Sequence, residues 1–231
     1  LSFKIDKKIK NAIYEKGYLL SNISNARIFD EFCKIFLSGM AEKNFNKLSS
    51  FGLSKFLITI EPKVNEFLHN VIFEALRNTD RRIKNNQSVT PGFLIAALLW
   101  PNLINKSLTK GEINLRKFFR SMDPILRKQQ KITAIPRKFH SYIKDIWVLQ
   151  LKLHSRIGKQ PYKTLKHPRF RAAYDLMLIR EKSFCETKNL GKWWTDFQKN
   201  DEQLKKSLIS SLKEKDIQES FKTFGFSKEL I

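Results

Sequence analysis

The chain has 231 residues, 42% of them hydrophobic and 12% aromatic, with only eight Gly and seven Pro; this supports one helical body or two small domains and excludes compositional disorder. Forty-four Lys and Arg against 22 Asp and Glu give a net charge of +22, which points to a polyanionic partner, RNA or DNA first. Cys33 and Cys185 are too few for a disulfide framework, no signal peptide is visible, and the longest apolar run, Phe93 to Trp100, is too short to span a bilayer, so a reduced cytoplasmic setting without a membrane partner is expected.

The first residue is Leu1 and not Met, which suggests a fragment or a processed product. Lys outnumbers Arg by 32 to 12, the pattern of an AT-rich genome, so distribution informs more than total charge. From Arg116 to Arg171 there are 16 Lys and Arg against two acids, Asp123 and Asp145, which places +14 of the +22 in one quarter of the chain.

Taken in order, the elements are helical nearly throughout, since apolar residues recur at three- and four-residue spacing. Gly17, Gly39 and Gly52 each follow an amphipathic segment, where helices stop. The first clear helix is Ala26 to Ser38, with Asn25 as its cap and Ile28, Phe29, Phe32, Ile35 and Phe36 on one face. A second covers Ala41 to Ser50, and Phe51-Gly52-Leu53 turns the chain. Asn65 to Lys84 predicts a longer helix with Phe67, Leu68, Val71, Ile72, Ala75 and Leu76 inward. The polar run Asn85 to Ser88 marks a soft boundary. Thr90-Pro91 then starts a helix that is apolar all round, hence buried, and that Pro101 closes. Further helices are expected at Leu115–Gln130, Pro136–Leu153, Arg169–Ser183, Lys188–Lys199 and Gln203–Thr223, with a loop around Ser155 to Pro161. The fold class is all-α, an elongated multi-helix body of short amphipathic helices without significant sheet. Its expected divisions are residues 1–86, 87–200 and 201–231.

Catalytic chemistry is not visible. No Asp-x-Asp or Asp-x-Glu pair stands where a strand could present it to a metal, no Gly-rich phosphate cradle exists, and His69, His140, His154 and His167 are scattered. His154 and His167 flank the basic loop as solvated side chains. The chain itself is expected to hold neither a catalytic site, a metal nor a cofactor.

The basic zone has the content of a nucleic-acid surface. Arg137 and Lys138 open a helix where first-turn amides and cations can meet a phosphate. Lys152, Arg156, Lys159 and Lys163 follow over a loop and two helix ends, and Lys166, Arg169 and Arg171 continue the series. Tyr142, Trp147, Tyr162 and Phe170 are interleaved, and aromatics beside cations suit an unpaired strand. Trp147 falls on the core face of its helix, which leaves Tyr162, in the loop, as the better stacking candidate. Trp193 and Trp194 are adjacent helical positions, so one is expected in the core and the other towards a partner.

Several segments, in order, resemble a known family. Arg27-Ile28-Phe29-Asp30-Glu31, Asn78 to Arg82, Thr90 to Pro101, Ala134 to Lys138, Asp145 to Leu151, Arg156 to Lys159, Lys166 to Asp175 and Trp193 to Gln198 together are similar to the neck, body and C-terminal part of bacterial poly(A) polymerases, class II nucleotidyltransferases related to the CCA-adding enzymes. The likeness covers roughly residues 23–198. It implies that residues 1–86 form a neck and RNA-binding domain, 87–200 a basic body, and 201–231 a mixed-charge helix where the family carries an Arg-rich tail. It implies that Arg27 and Glu31 brace a nucleotide-binding head, with a simple i, i+4 ion pair as the plain alternative. The head, with its ATP and Mg²⁺, is missing from the sequence. The partners implied are a single-stranded RNA 3′ end and that head. The readings left beside it are a protein-interaction module that docks an RNA helicase or degradation factor, and the RNA-binding part of a CCA-adding tRNA nucleotidyltransferase.

Overall fold

A computed structural model describes residues 5–61, 66–184, 189–213 and 216–217. Eleven α-helices occur among them: α1 (Lys7–Lys16), α2 (Asn25–Phe36), α3 (Ala41–Ser50), α4 (Glu66–Lys84), α5 (Pro91–Ser107), α6 (Leu115–Gln130), α7 (Arg137–Lys152), α8 (Gln160–Leu165), α9 (Phe170–Phe184), α10 (Leu190–Lys199) and α11 (Glu202–Ser210). The fold is all-α apart from one minimal hairpin, β1 (Leu108–Thr109) with β2 (Glu112–Ile113). Lys110 and Gly111 turn it with φ of 51° and 86°. Two positive φ values match the twist of a tight hairpin, and Lys-Gly is a weak signal for it in sequence.

Helix α5 is the centre of the molecule. Every residue from Gly92 to Ile104 is buried, and α4, α6 and α7 pack on it. Thr90 caps it, accepting from the Phe93 N–H at 3.3 Å. Pro101 does not close this helix, contrary to expectation; the helix runs six residues further, to Ser107. A proline inside a helix costs about 3 kcal/mol through a lost bond and a ring clash. Burial of Leu103 and Ile104 opposes that cost, as do two bonds from Asn102, which donates to the Thr59 carbonyl at 2.6 Å and accepts from the Glu61 N–H at 3.0 Å.

The polar run Asn85 to Ser88 joins helices that share one core: Ile72 and Leu76 of α4 belong to the same cluster as Leu94 and Leu98 of α5. A second cluster gathers Leu149, Leu153, Phe170, Ala173, Met177, Leu190, Trp193, Trp194 and Phe197 under α7, α9 and α10. Both adjacent tryptophans lie in it, Trp193 at 7% and Trp194 at 0% exposure. The expectation that one would face outward fails because α10 is covered on two sides. Trp194 donates its indole N–H to the Leu153 carbonyl at 2.9 Å, and Trp193 stacks on Phe197 and donates to Leu208 beyond α11's first turns at 3.3 Å.

Smaller differences follow from capping. Asn25 is the first residue of α2 and not its cap; its amide donates to the Gln130 carbonyl at 3.2 Å. The single helix expected from Gln203 to Thr223 stops at Ser210; residues 218–231 lie outside the described residues, as does the side chain of Phe67. The stretch from Ser155 to Pro161 is shorter as a loop than expected, because α8 begins at Gln160.

Candidate nucleic-acid interface

Of the 16 cations between Arg116 and Arg171, fourteen are exposed, Lys144 is half-buried, and Arg156 is buried. Arg137 and Lys138 stand exposed in the first turn of α7, and Lys152 in its last. A rise of about 1.5 Å per residue separates these two ends by about 22 Å along the helix.

Two clefts collect the rest. The first opens between α8 and α11, lined by Gly158, Lys159, Tyr162, Lys163, Lys166, Lys206 and Ile209, with Glu202 at its edge. Tyr162 sits on α8 and not in the loop. Its ring packs edge-on against Phe197 at 5.3 Å and it is half-buried, so part of the ring serves the core and part lines the cleft. Lys206 is the cation that sequence reading missed, since it lies on a mixed-charge helix 40 residues after Lys166.

The second cleft lies where α4, α5, α7 and α9 meet, and is lined by Arg82, Ser88, Thr90, Phe93, Tyr142, Arg169, Arg171 and Asp175. The Arg169 guanidinium lies 4.8 Å over the Tyr142 ring. Tyr142 is fixed by a hydroxyl contact with Thr90 at 3.2 Å. Asp175 takes an ion pair from Arg82 and another from Arg171, each 3.2 Å. Burial pushes the Asp175 carboxyl above its ordinary range, while Arg171 and Arg82 pull it down. Arg82 was not among the sequence candidates; the Arg81-Arg82 pair was the signal available, and nothing local tied it to Asp175.

Lys166 and Arg169 belong to different clefts but are three residues apart, so about 11 Å at most separates their Cα atoms. The two clefts therefore adjoin across the segment Lys166 to Arg169. There His167 is half-exposed, and its Nδ1 accepts from the Arg169 N–H at 3.1 Å.

Some candidates fall outside this surface. Arg156 is 5% exposed, with its guanidinium 5.5 Å from the Trp193 ring, and burial lowers its pKa to about 10. It cannot reach a strand from there. His154, expected in solvent, is fully buried, and Phe170 is a core ring 5.2 Å from Trp194. Arg27 and Glu31 are both exposed on α2, but Glu31 pairs with Lys34 at 2.8 Å. Among the described residues, no group of three His, Cys, Asp or Glu side chains could hold a metal ion. None of their helices is long and apolar enough to cross a membrane.

Comparison with known proteins gives two family matches. Residues 110–223 match "Polymerase A arginine-rich C-terminus", and residues 2–68 match "Probable RNA and SrmB-binding site of polymerase A". Poly(A) polymerase I of Haemophilus influenzae is 33% identical over 219 residues, which is 90% of this chain and 48% of the relative. Poly(A) polymerase I of Escherichia coli is 32% identical over 228 residues, 93% of this chain and 48% of the relative. The chain spans about half the length of the curated relatives it matches. The match reaches past residues 23–198 at both ends, and the arginine-rich family model extends over the mixed-charge segment, where Lys replaces Arg at most basic positions.

Proposed function

The chain belongs to the bacterial poly(A) polymerase family, and we propose on that premise that it is the part that holds RNA while the remainder of the enzyme adds AMP to the 3′ end. The observation that carries this reading is the pair of adjoining cationic clefts, each with a tyrosine in its wall. Phosphates would meet Lys159, Lys163, Lys166 and Lys206 on one side of the Lys166–Arg169 segment, and Arg82, Arg169 and Arg171 on the other. Contacts of this kind grip the backbone with little sequence preference. In this reading ATP and Mg²⁺ belong to residues outside this chain, Arg27 and Glu31 face the catalytic head, and the enzyme works in the cytoplasm.

Affinity for single-stranded RNA should fall steeply with salt, with a slope of about −0.7 per phosphate neutralised. Reversing charge together at Arg137, Lys159 and Arg171, all exposed, should abolish binding without lowering the thermal midpoint. Binding that ignores salt, or no binding by the folded chain, removes the proposal.

A second reading concerns a protein partner. Ile9, Tyr14, Tyr18, Leu19 and Ile23 are exposed apolar side chains inside the stretch matched to an RNA and SrmB-binding site. This face would dock such a helicase-type partner beside the RNA surface. Tyr14→Glu with Tyr18→Glu should then prevent SrmB capture while RNA affinity stays unchanged; capture that survives both changes argues against this face.

A further inference from the structure

The cleft around Asp175 is more specific than a patch of positive charge. The Asp175 side chain is 14% exposed and stands between two guanidiniums on the wall of an open cleft. Arg82 reaches it across the α4–α9 seam, Nη1 to Oδ2, and Arg171 reaches it along α9, Nε to Oδ1. A guanidinium carries five N–H donors in a fork that fits carboxylate and phosphate alike. Arg171 gives one of them to Asp175; Arg82 gives one, with a long second contact of 3.5 Å to the Ser88 carbonyl. Three arginines against one carboxylate leave the cleft with an excess of two positive charges. Beside them the Arg169 plane over Tyr142 offers a flat cationic face.

An ion pair kept only for stability is the plain alternative for Arg171. An i, i+4 pair with a side chain 68% exposed contributes little, however, and it gives no reason for Arg169 to stack beside it.

We infer that this cleft is a subsite for one nucleotide unit of a single strand, with the phosphodiester on Arg82 and Arg171, the base against Arg169, and Asp175 as a built-in anion that competes for the two guanidiniums. The inference rests on the RNA-holding reading. A resident carboxylate keeps both forks oriented when no strand is present and limits how tightly the seat grips one that is. Burial works against the ionised carboxyl and the arginines only partly relieve this, so neither guanidinium is locked to it.

The test is anisotropy of a labelled single-stranded RNA of mixed sequence, titrated with the full chain over a range of salt. Asp175→Asn should bind about three- to tenfold more tightly, with a salt slope steeper by about 0.7, one extra phosphate neutralised. Arg171→Gln should bind about fivefold more weakly, with a slope shallower by the same amount. In the double variant the gain from Asp175→Asn should vanish, because the freed fork is no longer there. A gain that persists without Arg171 would mean a change of global charge and would overturn the subsite. So would wild-type affinity and slope in Arg171→Gln, a variant that keeps the fold because its pair lies within α9; this arm decides the matter even if Asp175→Asn unfolds. Replacing chloride by inorganic phosphate at equal ionic strength should leave the RNA affinity unchanged, and strong competition would assign the seat to a free phosphate instead. If the wild-type chain shows salt-dependent binding but the variants do not differ from it, only the subsite falls. If the wild type does not bind, the RNA-holding reading falls with it.

Discussion

Arg156 and Lys159 carry the same charge three residues apart, yet one lies under Trp193 and the other lines an open cleft. Sequence treats them alike. A buried guanidinium loses solvation that Asp216 only partly returns, which is why its pKa falls to about 10. Replacing such a charge by an apolar side chain of similar size is often neutral or stabilising. Arg156→Met should therefore leave the thermal midpoint unchanged or raise it, and alter RNA affinity by less than about twofold, whereas Lys159→Gln should weaken binding while the midpoint stays fixed. Trp194 is the opposite case, a residue whose worth is all in packing. Trp194→Ala removes a fully buried indole and its bond to Leu153, and should cost about 3–5 kcal/mol in urea denaturation. Trp147 was placed in the core by its helical spacing, and its indole N–H donates to the Ala96 carbonyl at 2.9 Å. The Trp193-Trp194 pair was harder to read, because spacing on one helix does not reveal that two neighbours cover it.

At the scale of elements, the meeting of α5 and α7 decides the shape of the second cleft. Gly92 sits where an added Cβ would lie 2.6 Å from Phe139 Cδ1 and 3.1 Å from Tyr142 Cδ1. In an open helix Gly→Ala gains about 1 kcal/mol. Here the ring contacts reverse the sign. Gly92→Ala should destabilise by about 1–3 kcal/mol, and should also weaken RNA binding, because Tyr142 carries Arg169. Thermal unfolding and anisotropy on the same preparation check both effects. Helix limits such as Ala41–Ser50 and Leu115–Gln130 were readable from caps and apolar stripes, since those signals are local. The end of α5 was not: a proline normally stops a helix, and only the burial of the residues beyond it reveals why this one continues.

Across the whole molecule, α4 and α9 are tied by charge as well as by packing. Glu74 accepts from Arg77 at 2.6 Å and from Lys182 at 2.8 Å, and Arg82 reaches Asp175. Burial tends to raise Glu74, but the bonds from Lys182 and Arg77 outweigh it and hold the carboxyl below its ordinary value of 4.5. A depressed carboxylate stabilises the fold above its unfolded pKa and loses that contribution as pH falls through the folded one. The thermal midpoint should drop on acidification below about 4.5, and Glu74→Gln should flatten that part of the profile while lowering the midpoint at neutral pH. Asp175 has the opposite sign, so it adds nothing to this acid-sensitive stability. The sequence by itself determined the helical class, the buried α5 and the crowding of cations between Arg116 and Arg171, because helical period and charge density are properties of neighbouring residues. Only the tertiary structure decided which cations share a cleft: Arg82 and Asp175 are 93 residues apart, and no periodicity reaches that far.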